Sequence, residues 1–374
     1  MPNDAEKLTP AASPSAATSR SSKPASRPAP ALAPRRDDSL DIAKGIGILL
    51  VVIGHVFDGL VASSYFPASL QWPSLVILVI YLFHMPLFFV ISGHLASGKF
   101  RPAGVTIARM LPTIVYPYFL WSTVQSLVMI YLSKFTTSHI PVSSLYRILW
   151  NPVIPFWFLY ALFLCHLGYL VIRKWPHWAQ LTIAAIAFLA PQFFLSFFGS
   201  HQLTIVPETT RSFLYFILGV TTVPLVKQLG RWTAIASTVL FALLTYVYNQ
   251  AQFVGAAAWP AAVPACICGI LATLAWSRML ASRSAVNHGR PGRIARTLAF
   301  WGRYSMSIYV LHIFFTAGLR IALKRFASHP TPLATVLEIA VPTVLGIALP
   351  LAINWVVSKF DLDKWLGLQH METT

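Results

Sequence analysis

"KGIGILLVVIGHVFDGL", residues 44–60, is apolar enough to lie in a bilayer, yet it keeps Lys44 near one end and His55 eleven residues later. An ionisable side chain at the centre of a membrane helix costs about 2.5–3.5 kcal/mol on insertion scales, so such residues default to function. Eleven helical steps are three turns plus about 20°, which puts Lys44 and His55 on one face, roughly 16 Å apart along the axis. Asp41, three residues before Lys44, is placed to pair with it at the helix start and suits the positive end of the helix dipole. The plainer reading has Lys44 snorkelling to the interface and His55 bonded to a neighbour. The rest of the chain decides between the two.

The 374 residues are 56% hydrophobic and only 10% charged, whereas a soluble domain carries about 25% charge. So little charge cannot cover a soluble protein of this length, and bilayer rules govern the fold. The net charge is +17, but the basic residues are scattered between apolar segments. They read as loops facing anionic lipid, with no nucleic-acid partner. Cys165, Cys266 and Cys268 lie in apolar runs without metal-ligand or redox spacing, and read as small buried residues.

The expected fold class is all-α, a polytopic integral membrane protein of about ten transmembrane helices. Residues 1–36, rich in Ala, Ser and Pro, read as a disordered cytoplasmic tail. They contain no signal-peptide core, so the first helix is expected to act as a signal-anchor. Residues 37–360 form the membrane domain and 361–374 a short cytoplasmic C-terminal tail. Apolar segments fall at 42–62, 73–97, 111–132, 155–172, 178–198, 211–227, 233–250, 256–277, 298–319 and 332–357. With the tail inside, 20 of the 28 Lys and Arg lie on the inner side and six on the outer. This bias predicts both termini in the cytoplasm of a bacterial inner membrane.

Two further segments carry mid-span histidines. "FHMPLFFVISGHL", residues 83–95, holds His84, and "WGRYSMSIYVLHIFF", residues 301–315, holds His312 with Arg303 nearer the inner end. Alternating helix directions put all three imidazoles at about one depth, with cations on the inner side. That pattern suits a polar cavity inside a bundle. The alternative, weightiest for His312, is that each histidine independently bonds a backbone carbonyl. Arg109 opens "RMLPTIVYPYFLW", residues 109–121, behind Lys99 and Arg101. Such a cluster suits a phosphate-bearing ligand, though positive-inside topology also explains it. No carboxylate is expected mid-span: Asp41 and Asp58 flank the first helix and Glu338 lies in the last segment. No Gly-x-Ser-x-Gly, P-loop or His-Glu-x-x-His pattern occurs, and nothing indicates a metal.

With "SLDIAKGIGILLVVIGHVF" (39–57) and "PFWFLYALFLCHL" (155–167), these stretches appear in the order of a known family. The chain resembles the membrane acyltransferase type 3 family, in its fucose 4-O-acetylase-like and exopolysaccharide O-acetyltransferase branch. Lys44 and His55 match the family's pattern of Arg or Lys, ten residues, then His. Ser92 and Gly93 match its FFxxSG element. With no esterase domain after the last helix, the chain is similar to stand-alone members.

The resemblance implies transfer of an acetyl or other short acyl group from cytoplasmic acyl-CoA to a sugar hydroxyl. The acceptor would be an exopolysaccharide or lipid-linked oligosaccharide, with polysaccharide biosynthesis machinery as a possible partner. It implies His55 and Lys44 as catalytic residues, His55 acting as general base or acyl carrier. Asp41, His84, Ser92, Arg109, Arg303 and His312 are the expected substrate-binding residues, with no bound cofactor. Rival readings are a proton-coupled transporter, which also places His and Lys at mid-membrane, and a non-catalytic subunit of a polysaccharide export machine.

Overall fold

The computed structural model describes residues 38–67, 69–98, 101–133, 141–198, 205–226, 228–251, 258–286, 292–323 and 331–368. The expected tail at 1–36 and Lys99 lie outside the described residues. The described chain is helical, without strands, and is an all-α polytopic membrane protein.

Seven helical stretches are long and apolar enough to cross a membrane: 38–62, 72–97, 103–133, 231–251, 260–282, 305–323 and 332–359. They correspond to α1 (Asp38–Ala62), α2 (Trp72–Tyr81), α3 (His84–Ser97), α4 (Ala103–Met110), α5 (Tyr116–Ser133), α10 (Arg231–Ala251), most of α11 (Ala258–Val286), α13 (Ser305–Leu323) and α14 (Pro332–Lys359). The remaining apolar helices are α6 (Trp157–Ile172), α7 (His177–Phe198) and α8 (Ile205–Thr221). The helix α9 (Val223–Val226) is a single turn, and α12 (Arg293–Arg303) precedes α13.

Two segments that carry candidate residues, each expected as a single span, are broken. The 73–97 segment parts between Tyr81 and His84, because Pro86 has no N–H and its ring excludes the carbonyl four residues back. His84 therefore opens α3 instead of sitting mid-helix. The 298–319 segment parts at Tyr304. On α12, Ala295, Ala299 and Gly302 are buried at i, i+4 and i+7, while the side carrying Arg293, Ile294, Arg296 and Phe300 is exposed. Between α4 and α5, residues 111–115 widen into a π turn where Pro112 and Pro117 remove backbone donors.

The helix α1 is the hub, packing on α2, α3, α11, α12, α13 and α14. Bilayer helices associate by close contact of small residues, and glycines mark the crossings. A Cβ on Gly45 would lie 1.9 Å from the Leu298 carbonyl oxygen, and one on Gly302 1.8 Å from that of Asp41. The α3–α8 crossing repeats the device: Gly93 abuts the Phe216 carbonyl and Gly219 that of Val90. Cys165, Cys266 and Cys268 are free thiols, all buried.

Of the expected C-terminal tail, residues 361–368 fold back on the bundle. Trp121 Nε1 donates to the Leu366 carbonyl at 3.0 Å and Ser307 Oγ to that of Leu368 at 3.3 Å. Leu368 is buried in the main core. Gly367, at φ +62°, makes the turn against Pro117 that this return requires.

Candidate active site

Pairings along α1 give the bundle its internal scale. Gly47 meets Phe88 and Gly54 meets Tyr81, so α3 and α2 run antiparallel to α1. His55 faces His312 and Gly59 faces Arg320, so α13 runs parallel to it. Three tiers follow: Asp41 and Lys44 at the start of α1, the histidines further along, and Asp58 with Arg320 beyond them.

The histidine tier is assembled as the sequence suggests. The rings of His55 and His312 are 5.2 Å apart between centroids. Tyr81 stands 6.3 Å from His55 and 5.1 Å from His84, so His84 is one ring further out. His84 and His312 are buried, whereas His55 is half-buried and lines a cavity of about 260 Å³.

Both buried rings are held by backbone carbonyls three or four residues back, His312 by its own helix and His84 by the end of α2. His84 Nδ1 lies 2.8 Å from the Ile80 carbonyl, which the helix break leaves within reach. His312 Nδ1 lies 2.7 Å from the Tyr309 carbonyl and 3.1 Å from that of Ile308. Carbonyls only accept, so each Nδ1 is the donor. His312 Nε2 is buried and makes no hydrogen bond among the described residues. The carbonyl anchoring given as the simpler role of these histidines is therefore present. It fixes each ring and leaves the other nitrogen for chemistry.

A local pattern lay unread in the sequence. Ile80-Tyr81-x-x-His84 and Ile308-Tyr309-x-x-His312 share one spacing. In both, the isoleucine carbonyl meets the histidine and the tyrosine ring stands beside it. Tyr81 Oη is buried without a hydrogen bond among the described residues, and Tyr309 donates to the Pro155 carbonyl.

At the α1 start, Lys44 Nζ lies 3.7 Å from Asp41 Oδ1, as the spacing predicted. Arg303 follows the Gly302 that packs on the Asp41 carbonyl, which brings it to this tier. The continuous helix keeps Lys44 about 16 Å from His55 along the axis. Ser92 is half-buried on α3 beside Gly93, at the α8 crossing and about two turns along α3 from His84.

Arg109 is exposed and lines a second cavity, about 230 Å³, with Arg101 and Arg173. Arg173 Nη1 also donates to the Arg101 carbonyl at 2.6 Å. Because α3 is antiparallel to α1, this arginine cavity lies toward the Lys44 end of the bundle. Arg173, at the end of α6, was not singled out from sequence. Only folding brings it 72 residues back to Arg101.

From sequence no buried carboxylate is expected mid-span and Glu338 has only a place in the last segment; the structure buries it near the start of that helix. Glu338, in α14, is 2% exposed and lines the His55 cavity with Asp58 and Arg320. A helical segment only a few residues from its end gave no sign of which way Glu338 would face. Among the described residues no group of three or more His, Cys, Asp or Glu is placed to hold a metal.

The family model described as an acyltransferase domain matches residues 37–355. A nodulation protein NolL from Mesorhizobium japonicum is 30% identical over 191 residues, covering 49% of this chain and 47% of that protein. A NolL from Sinorhizobium fredii is 29% identical over 196 residues, covering 50% and 49%. The chain thus spans about half the length of the curated relatives it matches. No solved structure matches.

Proposed function

The chain belongs to the acyltransferase family whose domain covers residues 37–355, and we propose that it is a membrane O-acyltransferase moving an acetyl or other short acyl group from acyl-CoA to a sugar hydroxyl of an exopolysaccharide or lipid-linked glycan. The observation that carries this reading is the half-buried His55, open to a cavity and backed by the anchored ring of His312.

His55 is the general base. It takes the proton of the acceptor hydroxyl as the hydroxyl oxygen attacks the thioester carbonyl. The new C–O bond forms, the C–S bond breaks, and the proton passes to the departing sulfur to give free CoA. Neutral imidazole takes the proton and the imidazolium so formed returns it to sulfur, both forms being accessible near pH 7. His312, 5.2 Å away between ring centres and with Nε2 not bonded to any described residue, orients His55 through one bridging water.

The donor enters from the Lys44 end. Arg101, Arg109 and Arg173 supply fixed positive charge for its phosphates. CoA carries a long flexible arm between phosphates and thioester, and the roughly 16 Å from Lys44 to His55 is the kind of span it bridges. Lys44, held by Asp41, stands at the entry end of that path, with the thioester delivered to His55 at the other. In this reading the Lys44 end is cytoplasmic, in a bacterial inner membrane, as the lysine and arginine distribution favours.

The test is the purified protein in nanodiscs with radiolabelled acetyl-CoA and a panel of methyl glycosides. Labelled glycoside and free CoA thiol are the expected products. No donor turnover with any acceptor, together with sugar accumulation by sealed proteoliposomes, would overturn the reading in favour of a transporter.

A further inference from the structure

The cavity beyond His55 has a chemical character of its own. Glu338 is 2% exposed, and neither of its carboxylate oxygens makes a hydrogen bond among the described residues. An unsatisfied buried carboxylate is costly unless a partner arrives. Arg320 reaches the same cavity from α13. Its Nη1 lies 2.2 Å from where a Cβ on Gly59 would be, so the glycine is what leaves room for the guanidinium. No ion pair within 4.0 Å joins Arg320 to Glu338 or Asp58 among the described residues. The three groups therefore line the cavity without a direct ion pair between them among the described residues.

Resting on the transferase reading above, we propose that this cavity is the acceptor pocket and that it selects a single uncharged, hydroxyl-rich sugar ring over an acidic one. Sugar hydroxyls donate to the carboxylates of Glu338 and Asp58, and their oxygens accept from Arg320. Ile313 and Pro342 offer an apolar wall to the C–H face of the ring. Asp58 lies one turn beyond His55 on α1, so a ring held there presents a hydroxyl toward the imidazole. Two carboxylates, the exposed Asp58 and the buried Glu338, against one guanidinium give the lining an acidic excess that disfavours a uronate. At about 260 Å³, the cavity falls below the roughly 300–1,000 Å³ of pockets for drug-sized ligands. It holds one ring of a glycan, with the rest of the chain outside.

The experiment compares matched pairs of methyl hexosides and methyl hexuronides (gluco, galacto and manno), with labelled acetyl-CoA and protein in nanodiscs. The wild type is expected to prefer the best neutral glycoside over its uronide by about tenfold or more in kcat/KM. Glu338→Gln and Asp58→Asn are expected to raise the KM for the neutral glycoside about tenfold, with the acetyl-CoA KM unchanged. Glu338→Gln should also narrow the preference against the uronide. Ala317→Phe, which fills the cavity without altering charge, should raise the glycoside KM alone. The unchanged donor KM certifies folding in each variant. A wild type that prefers the uronide, or variants with wild-type glycoside KM, overturns the pocket assignment and leaves the transferase reading standing. Absence of donor turnover with every acceptor sinks the transferase reading, and this proposal with it.

Discussion

His312 lies 5.2 Å from His55 between ring centres, with its Nδ1 committed to the carbonyls of Tyr309 and Ile308. This fixes the neutral ring in the tautomer with Nε2 unprotonated, because a carbonyl can only accept. The half-buried ring of His55 is the one that meets the cavity, and the fully buried ring of His312 stands behind it. The two histidines therefore take unequal roles.

His55→Ala should lower kcat by about 10²- to 10⁴-fold, the usual contribution of a positioned base, while the protein still inserts and accumulates. Turnover of labelled acetyl-CoA by the purified variant checks this. Near-wild-type turnover would move the base to another group, His84 first.

His312→Gln should lower kcat by about tenfold with little change in either KM, and should shift the acidic limb of the pH–rate profile. A purely structural His312 predicts otherwise: a lower melting temperature, with unchanged kcat and pH profile for the folded fraction. Measuring stability and kinetics on one preparation separates the two.

Lys44→Arg should keep substantial activity and Lys44→Ala should not. Arginine preserves the charge opposite Asp41 and can meet a phosphate oxygen, whereas alanine preserves neither. Equal activity in the two variants would leave Lys44 as a residue that only snorkels.

Arg109→Ala and Arg173→Ala should each raise the KM for acyl-CoA by about ten- to a hundredfold. The loss of one charged hydrogen bond costs about 1.5–3 kcal/mol. The defect should lessen with added donor and leave the acceptor KM in place. Arg173 also holds the Arg101 carbonyl, so its loss should be the larger. Donor titrations matching wild type would confine these arginines to topology.

Gly302→Val should destabilise the protein outright, because its side chain would meet the Asp41 carbonyl at 1.8 Å. Gly104→Ala, with nothing within 4 Å, should be neutral. Thermal unfolding of both in the same detergent makes the comparison. An unaffected Gly302→Val would mean that α1 and α12 do not touch as described.

The sequence by itself determined the fold class and the histidine tier. Sparse charge and long apolar runs force a helical bundle, because a backbone in lipid must satisfy its own hydrogen bonds. The alternating direction of successive spans brings His55, His84 and His312 to one depth, since depth depends on position along the chain and little else. The tertiary structure alone decided what depends on azimuth and on breaks. Hydropathy reads length and cannot see which side of a helix meets which neighbour. It therefore gave no notice that Glu338 and Arg320 turn into the His55 cavity, or that Arg173 returns to Arg101. It also ran through the breaks at Leu82–Phe83 and Tyr304, because an interrupted helix stays as apolar as a continuous one. At the first break the Ile80 carbonyl accepts from both Phe83 N and His84, and beyond the second α13 runs alongside α1 with His312 beside His55. Packing, not composition, turned three histidines at one depth into a site.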